Sequence, residues 1–300
     1  MPKATTDPTR HPTIALMSPG DMGHAVAAML GGHGLRVVTC LEGRSPRTWA
    51  LAEKAGVEVL PDDDALVREA DVLLSILVPA QAEDLARRIA AALERTRTEL
   101  VYVDCNAIAP QTARRIGARV EAAGARFVDA GIIGPPPKAG TRTPFYASGE
   151  HVESFAALRD FGLDVRPIGA QPGDASAVKM CYAALTKGTT ALMTELSVAA
   201  ERLGVGAVLR QEFAESQQAA LDRMANAVPA MLPKAHRWIG EMEEIAKTFE
   251  DCGLTPKTYL GAAEIYDFVA HTSLGQIAPE QWRDKGRSFE GIVAELARER

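Results

Sequence analysis

An α/β fold is predicted, with an N-terminal Rossmann-like, doubly wound sheet followed by an all-helical C-terminal domain. Three observations predict it. Short Val/Ile/Leu runs alternate with helix-forming segments from Thr13 to Gly169, the rhythm of parallel strands covered on both faces. A glycine turn, Gly20 and Gly23, joins the first strand to the first helix. After Gly169 the strand rhythm stops, and 173–300 are nearly all helical in character.

Strands are expected at 13–17, 36–40, 57–59, 72–77, 100–104 and 126–130. Between them, 22–31, 47–55, 63–69, 81–94 and 110–123 carry helical periodicity and good helix formers. Gly134 and three consecutive prolines, Pro135 to Pro137, exclude helix or central strand and mark a loop across 131–140. Two more strands, 145–147 and 164–168, flank a helix at 152–161. The stretch 174–203 has Gly188 as its single internal glycine and reads as one long, largely buried helix. The organisation expected is a flexible tail at 1–12, a cofactor domain at 13–170 and a helical substrate and dimerisation domain at 171–300.

Composition sets the class. The chain has 300 residues, 47% hydrophobic and 24% charged, the balance of a globular protein with a substantial core. A formal charge of -6 gives no general pull toward nucleic acid or an anionic membrane. The first twelve residues lack the apolar core of a signal peptide, and no apolar run reaches the length of a membrane span, so a cytoplasmic protein is expected. Cys40, Cys105, Cys181 and Cys252 form no Cys-x-x-Cys pair; buried free thiols are expected rather than a metal site or disulfide framework.

The first strand runs into Ser18-Pro19-Gly20-Asp21-Met22-Gly23. Two glycines of a Gly-x-Gly-x-x-Gly turn are present. Gly20 lets the backbone approach a pyrophosphate and Gly23 lets the helix pack on the strand, while the helix N-terminus supplies N–H groups and partial positive charge. Pro19 restricts Ser18 to extended backbone, so the turn is expected without a left-handed residue there, and the Ser18 hydroxyl is offered to a phosphate. The plain alternative is an ordinary strand-to-helix turn. After the second strand, Glu42 lies near the offset of an acid that binds ribose hydroxyls, which favours NAD. Arg44, Ser45 and Arg47 instead cluster as donors for a 2′-phosphate, which tips the expectation slightly to NADP. A solvated charged loop is the alternative for each.

Four stretches in order, Ser18 to Gly23, Asp71 to Pro79, Val103 to Pro110 and Gly173 to Lys179, resemble the β-hydroxyacid dehydrogenase family, which includes 3-hydroxyisobutyrate dehydrogenase and is related to 6-phosphogluconate dehydrogenase. The resemblance spans nearly the whole chain. It implies that Leu77 and Val78 line the cofactor riboses and that Asn106 lies beside the nicotinamide and the substrate. It also implies that Ile133 and Gly134 border the substrate and that Lys179 is catalytic. The chain departs from the family pattern at several of these places: Asn106-Ala107 stands for Ser-Thr, Ile133 for Ser, Pro135 for Gly and Tyr182 for Asn. A further family lysine falls near Gly240, with His236 and Arg237 one turn away.

Oxidation of a hydroxyl loses a hydride to a nicotinamide and a proton to a base, and the reverse needs an acid at the carbonyl oxygen. Lys179 is expected in both proton roles, because Val178 and Met180 desolvate its ammonium and ease proton loss. A snorkelling surface lysine is the alternative. Tyr182, three residues on, is placed to orient the substrate oxygen or to act as a second, catalytic proton donor, with a core aromatic as the alternative. His236 is a candidate substrate contact, and Lys187 is set to meet a substrate anion or a surface carboxylate. The expected function is an NAD(P)-dependent oxidoreductase acting on a small hydroxyacid-like substrate. An imine reductase and a non-catalytic NADP-binding sensor are the competing readings. The apolar helical half, with Trp238, predicts a homodimer.

Overall fold

The computed structural model describes residues 11–138, 140–278, 281–282 and 286–299. Eight strands, β1 (Ile14–Met17), β2 (Val37–Cys40), β3 (Glu58–Leu60), β4 (Val72–Ser75), β5 (Val101–Asp104), β6 (Arg126–Ile132), β7 (Pro144–Ser148) and β8 (Asp164–Gly169), form one sheet. Their order is β3-β2-β1-β4-β5-β6-β7-β8. Neighbouring strands are parallel except at β6 and β7, which are antiparallel. The crossovers are α1 (Asp21–Gly32), α2 (Pro46–Lys54), α3 (Asp63–Glu69), α4 (Ala82–Thr96), α5 (Pro110–Ala122) and α6 (Val152–Ala156), the last continued by a 3-10 turn at Ala157–Phe161.

The doubly wound fold is the one the sequence predicts, and the strands explain it. β1, β2, β4 and β5 are buried along their whole length. Period-2 alternation sends Ile14, Leu16, Leu74 and Val103 to one layer with Val26 and Leu30 of α1 and Phe155 of α6. Met17, Leu73, Tyr102 and Phe127 go to the other, with Leu85 and Ile89 of α4 and Ile116 of α5. Strand order reverses between β1 and β4, so a ligand crevice opens at the carboxyl ends of these strands.

α7 (Asp174–Arg202) follows as a single 29-residue helix. It leads to α8 (Gly206–Ser216), α9 (Gln218–Met231), α10 (Ala235–Asp251), α11 (Lys257–His271) and α12 (Phe289–Arg298). The chain divides into two compact units after Met180, inside α7. The expected division at residue 170 falls ten residues earlier because the first turns of α7 are hydrogen-bonded to β6 and β7. In the helical unit, Trp238 of α10 meets Tyr266 of α11 edge-on at 5.2 Å. The Tyr266 hydroxyl donates to the Lys187 carbonyl at 2.6 Å.

Three expectations change. β6 runs two residues further, to Ile132, so the proline-rich loop begins at Ile133. α7 is not largely buried, since Val178, Tyr182, Leu185 and Leu192 are 39%, 49%, 62% and 59% exposed. Cys181 and Cys252 are exposed, whereas Cys40 and Cys105 are buried as expected. Residues 1–10 of the expected tail lie outside the described residues, and His11 packs edge-on against Phe161 at 5.2 Å. Among the described residues no helix is long and apolar enough to cross a membrane, and no cluster of potential metal ligands is found.

α5 approaches β6 closely enough that a Cβ on Gly117 would stand 2.7 Å from the Phe127 ring. Gly117→Ala is therefore expected to destabilise the protein by about 1–3 kcal/mol through overpacking, read as a lower urea midpoint with an unchanged slope.

Candidate functional site

The β1–α1 turn is built around Ser18, which has φ +63°. The sequence expectation of a turn without a left-handed residue at this place is corrected: Ser18 takes the backbone conformation that a first glycine would adopt. Helix packing demands it. The Gly20 N–H donates to the Ser18 carbonyl at 2.7 Å, and α1 sits so close that a Cβ on Gly23 would be 2.7 Å from the Ser18 carbonyl oxygen and 3.0 Å from Leu16. Closeness to the chain does not explain Gly20, because a Cβ there would meet only the Ser18 carbonyl oxygen, at 4.0 Å. Gly20 is also the N-cap, with no side-chain hydrogen bond closing the first turn. A helix N-terminus with no side-chain cap fits a pyrophosphate. Pro19 is buried, and Asp21 and Met22 are half-buried.

The donors after β2 divide. Ser45 accepts from the Thr48 N–H at 3.3 Å and caps α2. Arg47 pairs with Asp21 at 2.6 Å. Arg44 donates to the neutral Gln81 Oε1 at 2.9 Å and has no carboxylate partner among the described residues. Burial first, and then repulsion by Arg88, hold its proton affinity below the usual arginine range. A half-buried guanidinium that lacks a counter-charge is a ready anion site. Glu42 is exposed.

At the ends of β4 and β5, Asn106 is 2% exposed. Its Oδ1 accepts from the Leu77 N–H at 2.5 Å, its Nδ2 donates to Ser75 Oγ at 2.8 Å and its backbone N–H donates to Asp104 Oδ1 at 2.9 Å. Asn106 thus holds the Leu77–Val78 segment in place from beneath, with Val78 itself exposed. Next along the sheet, Asp104 and Asp129 are partners in register, and Asp129 is in turn paired with Ser148. Asp129 accepts from the Gly173 N–H (2.9 Å), the Ser176 N–H (2.9 Å), the Ser176 hydroxyl (2.6 Å) and the Ser148 hydroxyl (3.2 Å). Asp104 Oδ2 is buried with no hydrogen-bond partner.

Lys179 lies on the second turn of α7, and its Nζ donates to the Ile132 carbonyl at 2.7 Å. A Cβ on Gly131 would stand 2.8 Å from the Ala175 carbonyl oxygen and 2.9 Å from Lys179 Cβ. The Ile133 N–H is taken by the Pro144 carbonyl at 3.0 Å, and Gly134 is exposed with φ +121°. Lys179, Ile133 and Gly134 thus all belong to the sheet unit, with Lys179 on the carbonyl of the residue before Ile133. Tyr182 and His236 belong to the helical unit, and both are exposed. Burial, followed by the charge of Arg237, lowers the His236 pKa. Lys187 meets a carboxylate, Glu241, and lies over the Trp238 ring at 4.9 Å. Sequence reasoning assigned no role to Asp104, Asp129, Ser148 or Ser176. The available signal was an aspartate within an otherwise apolar strand.

A family model described as the NAD binding domain of 6-phosphogluconate dehydrogenase matches residues 13–161, and a domain of unknown function, DUF1932, matches residues 200–269. A solved structure of a conserved protein of unknown function, reported as similar to 3-hydroxyacid dehydrogenases, is 30% identical. It aligns over 89% of this chain and 100% of its own, with a TM-score of 0.64. The chain belongs to the β-hydroxyacid dehydrogenase family. The 3-hydroxyisobutyrate dehydrogenase of Mycobacterium tuberculosis shares the fold at 21% identity and a TM-score of 0.70, over 96% of this chain and 99% of its own. An uncharacterized 28.5 kDa protein of Methanothermus fervidus is 30% identical over 57% of this chain, and the match spans 64% of that protein's length.

In this family member the Asp104–Asp129 pair has a measurable consequence. Burial pushes the Asp104 carboxyl up to about 7; the Asn106 N–H bond opposes the rise, and the neighbouring Asp129 charge adds to it. Unfolded, the group titrates near ~3.9. The native state alone holds this proton between these values, so its stabilisation is complete below pH ~4 and lost as pH rises to about 7. Asp104→Asn removes that dependence. The variant is expected to gain on wild type by about 1.4 kcal/mol per pH unit across this window, read from urea midpoints at pH 4.5 and 8.

Proposed function

We propose that the chain is an NADP-preferring oxidoreductase acting on the hydroxyl or carbonyl of a small hydroxyacid-like substrate, with Lys179 as general acid and base. The observation that carries this reading is the Lys179 ammonium, fixed on the Ile132 carbonyl at the carboxyl end of the sheet, the edge at which open α/β sheets bind ligands. When bound, the nicotinamide supplies or accepts the hydride. Gly20 and the bare N-terminus of α1 would hold the pyrophosphate, Leu77 and Val78 would line the riboses, and Arg44 would meet the 2′-phosphate. In the oxidative direction Lys179, as the neutral amine, would take the proton of the substrate hydroxyl, and in the reductive direction its ammonium would return one to the carbonyl oxygen. Tyr182 and His236 are proposed substrate contacts.

Imine reduction is the second reading, and Ile133 favours it. An apolar side chain with its N–H already spent on Pro144 suits an uncharged substrate better than an acid. A homodimer is also proposed, because Tyr182, Leu185 and Leu192 lie along one stripe of α7 and are half-exposed or more. Elution at twice the chain mass in light scattering is the expected result.

The test is reduced-nicotinamide absorbance over a panel of hydroxyacids, aldehydes and imines. Lys179→Ala is expected to lose about 10²–10⁴-fold in kcat, with NADPH affinity within about twofold of wild type. Arg44→Gln is expected to weaken NADPH by roughly tenfold or more, the worth of one charge-assisted hydrogen bond, and to leave NADH unchanged. Equal rates in wild type and Lys179→Ala would remove the lysine from the mechanism.

A further inference from the structure

We propose that Asp129 is the positioning residue for Lys179, setting the height and rotation of α7 so that the lysine Nζ meets the Ile132 carbonyl. The inference rests on the proton-transfer role of Lys179. It comes from the way one strand brackets the start of one helix.

A helix begins with N–H groups that have no partner within it. At α7 the Gly173 and Ser176 N–H groups go to Asp129 Oδ2, and the Ala175 N–H goes to Ser148 Oγ at 3.1 Å. The acceptors are side chains of paired residues on adjacent strands, Asp129 on β6 and Ser148 on β7. The Ser176 hydroxyl adds a bond to Asp129 Oδ1. From behind, the Arg114 Nε–H holds the Pro172 carbonyl at 3.1 Å.

Two residues beyond Asp129, on the same face of β6, Gly131 has no side chain to hold α7 away. One residue further, the Ile132 carbonyl receives Lys179. β6 therefore touches α7 three times in four residues: the carboxylate at the helix start, bare backbone against Ala175 and Lys179 Cβ, and a carbonyl on the ammonium. Ser176 and Lys179 are three residues apart and share a helix face, so a shift or rotation that releases Ser176 from Asp129 also moves Nζ off Ile132.

The test compares Asp129→Asn and Ser176→Ala with wild type. The asparagine keeps the shape but removes the negative charge that faces the helix start, with its oxygen on the two N–H groups and its NH2 on the Ser176 hydroxyl; the alanine removes one hydroxyl bond and leaves the two backbone contacts. Trinitrobenzenesulfonate labelling followed by peptide mass spectrometry reads Lys179 directly, with exposed Lys54 as internal reference. Asp129→Asn is expected to raise Lys179 labelling at least threefold with Lys54 constant, and to lower kcat at least tenfold while NADPH affinity stays within twofold. Ser176→Ala is expected to move the same readouts in the same direction by less, and it decides the matter if Asp129→Asn does not fold. Unchanged Lys179 labelling and unchanged kcat in folded variants would overturn the proposal. So would labelling of Lys54 and loss of NADPH affinity in step with Lys179, which would mark general loosening. If wild type turns over no substrate, the function reading fails, and Lys179 labelling still decides the positioning claim by itself.

Discussion

The sheet unit depends on a carboxylate buried where water cannot reach it. Asp129 is 1% exposed, and an isolated charge there would cost several kcal/mol. Four donors converge on it, three of them from the first turn of α7, and the charge faces the positive end of that helix. Burial pushes its carboxyl above the usual aspartate range, and these four bonds oppose that rise without cancelling it. Asp104, its neighbour across the ladder, has one N–H bond and an orphan oxygen. Two adjacent buried carboxylates with no cation between them cannot both be charged at modest cost, and the donor count assigns the charge to Asp129 and the proton to Asp104.

The same row of residues joins the two halves of the crevice. Ser75, Asp104, Asp129 and Ser148 are successive register partners across β4, β5, β6 and β7. Asn106 ties one end of the row to the Leu77 segment, and Ser176 ties the other to α7. A polar network in which nearly every group is satisfied rigidifies what it connects. Here it connects the loop proposed to line the cofactor with the helix that carries Lys179. At the opposite end of the crevice, Ser18 holds an unfavourable φ because α1 must pack against its carbonyl, a local strain maintained by surrounding contacts.

The architecture was legible because parallel strands buried on both faces leave unbroken Val/Ile/Leu runs, and every strand of the sheet begins and ends within two residues of its expected bounds. The turn glycines were legible for the same reason: their chemistry is local. Ser18 was misread because the rule for a residue before proline is a local preference, and a tertiary contact overrode it. The cation cluster after β2 was overcounted, since spacing does not reveal that Arg47 reaches Asp21 or that Ser45 is spent as a helix cap. Asp129 was visible as a residue, but its role requires a partner forty-seven positions away, Ser176, and no periodicity carries that pairing.

α7 shows why exposure was the least legible property. Its hydroxyl residues do not mark a wet face: Thr190 and Thr194 are buried and bond back to the carbonyls of Thr186 and Thr190, and Ser197 does the same to Met193. Such back-bonding lets a helix hide polar side chains without a tertiary partner. The apolar Val178, Leu185 and Leu192 meanwhile face outward. Polarity and burial are thus uncoupled along this helix, and a pattern reading that equates them assigns its faces wrongly. Lys179 escapes that ambiguity because its place is set by contacts from β6, not by the polarity of the helix around it.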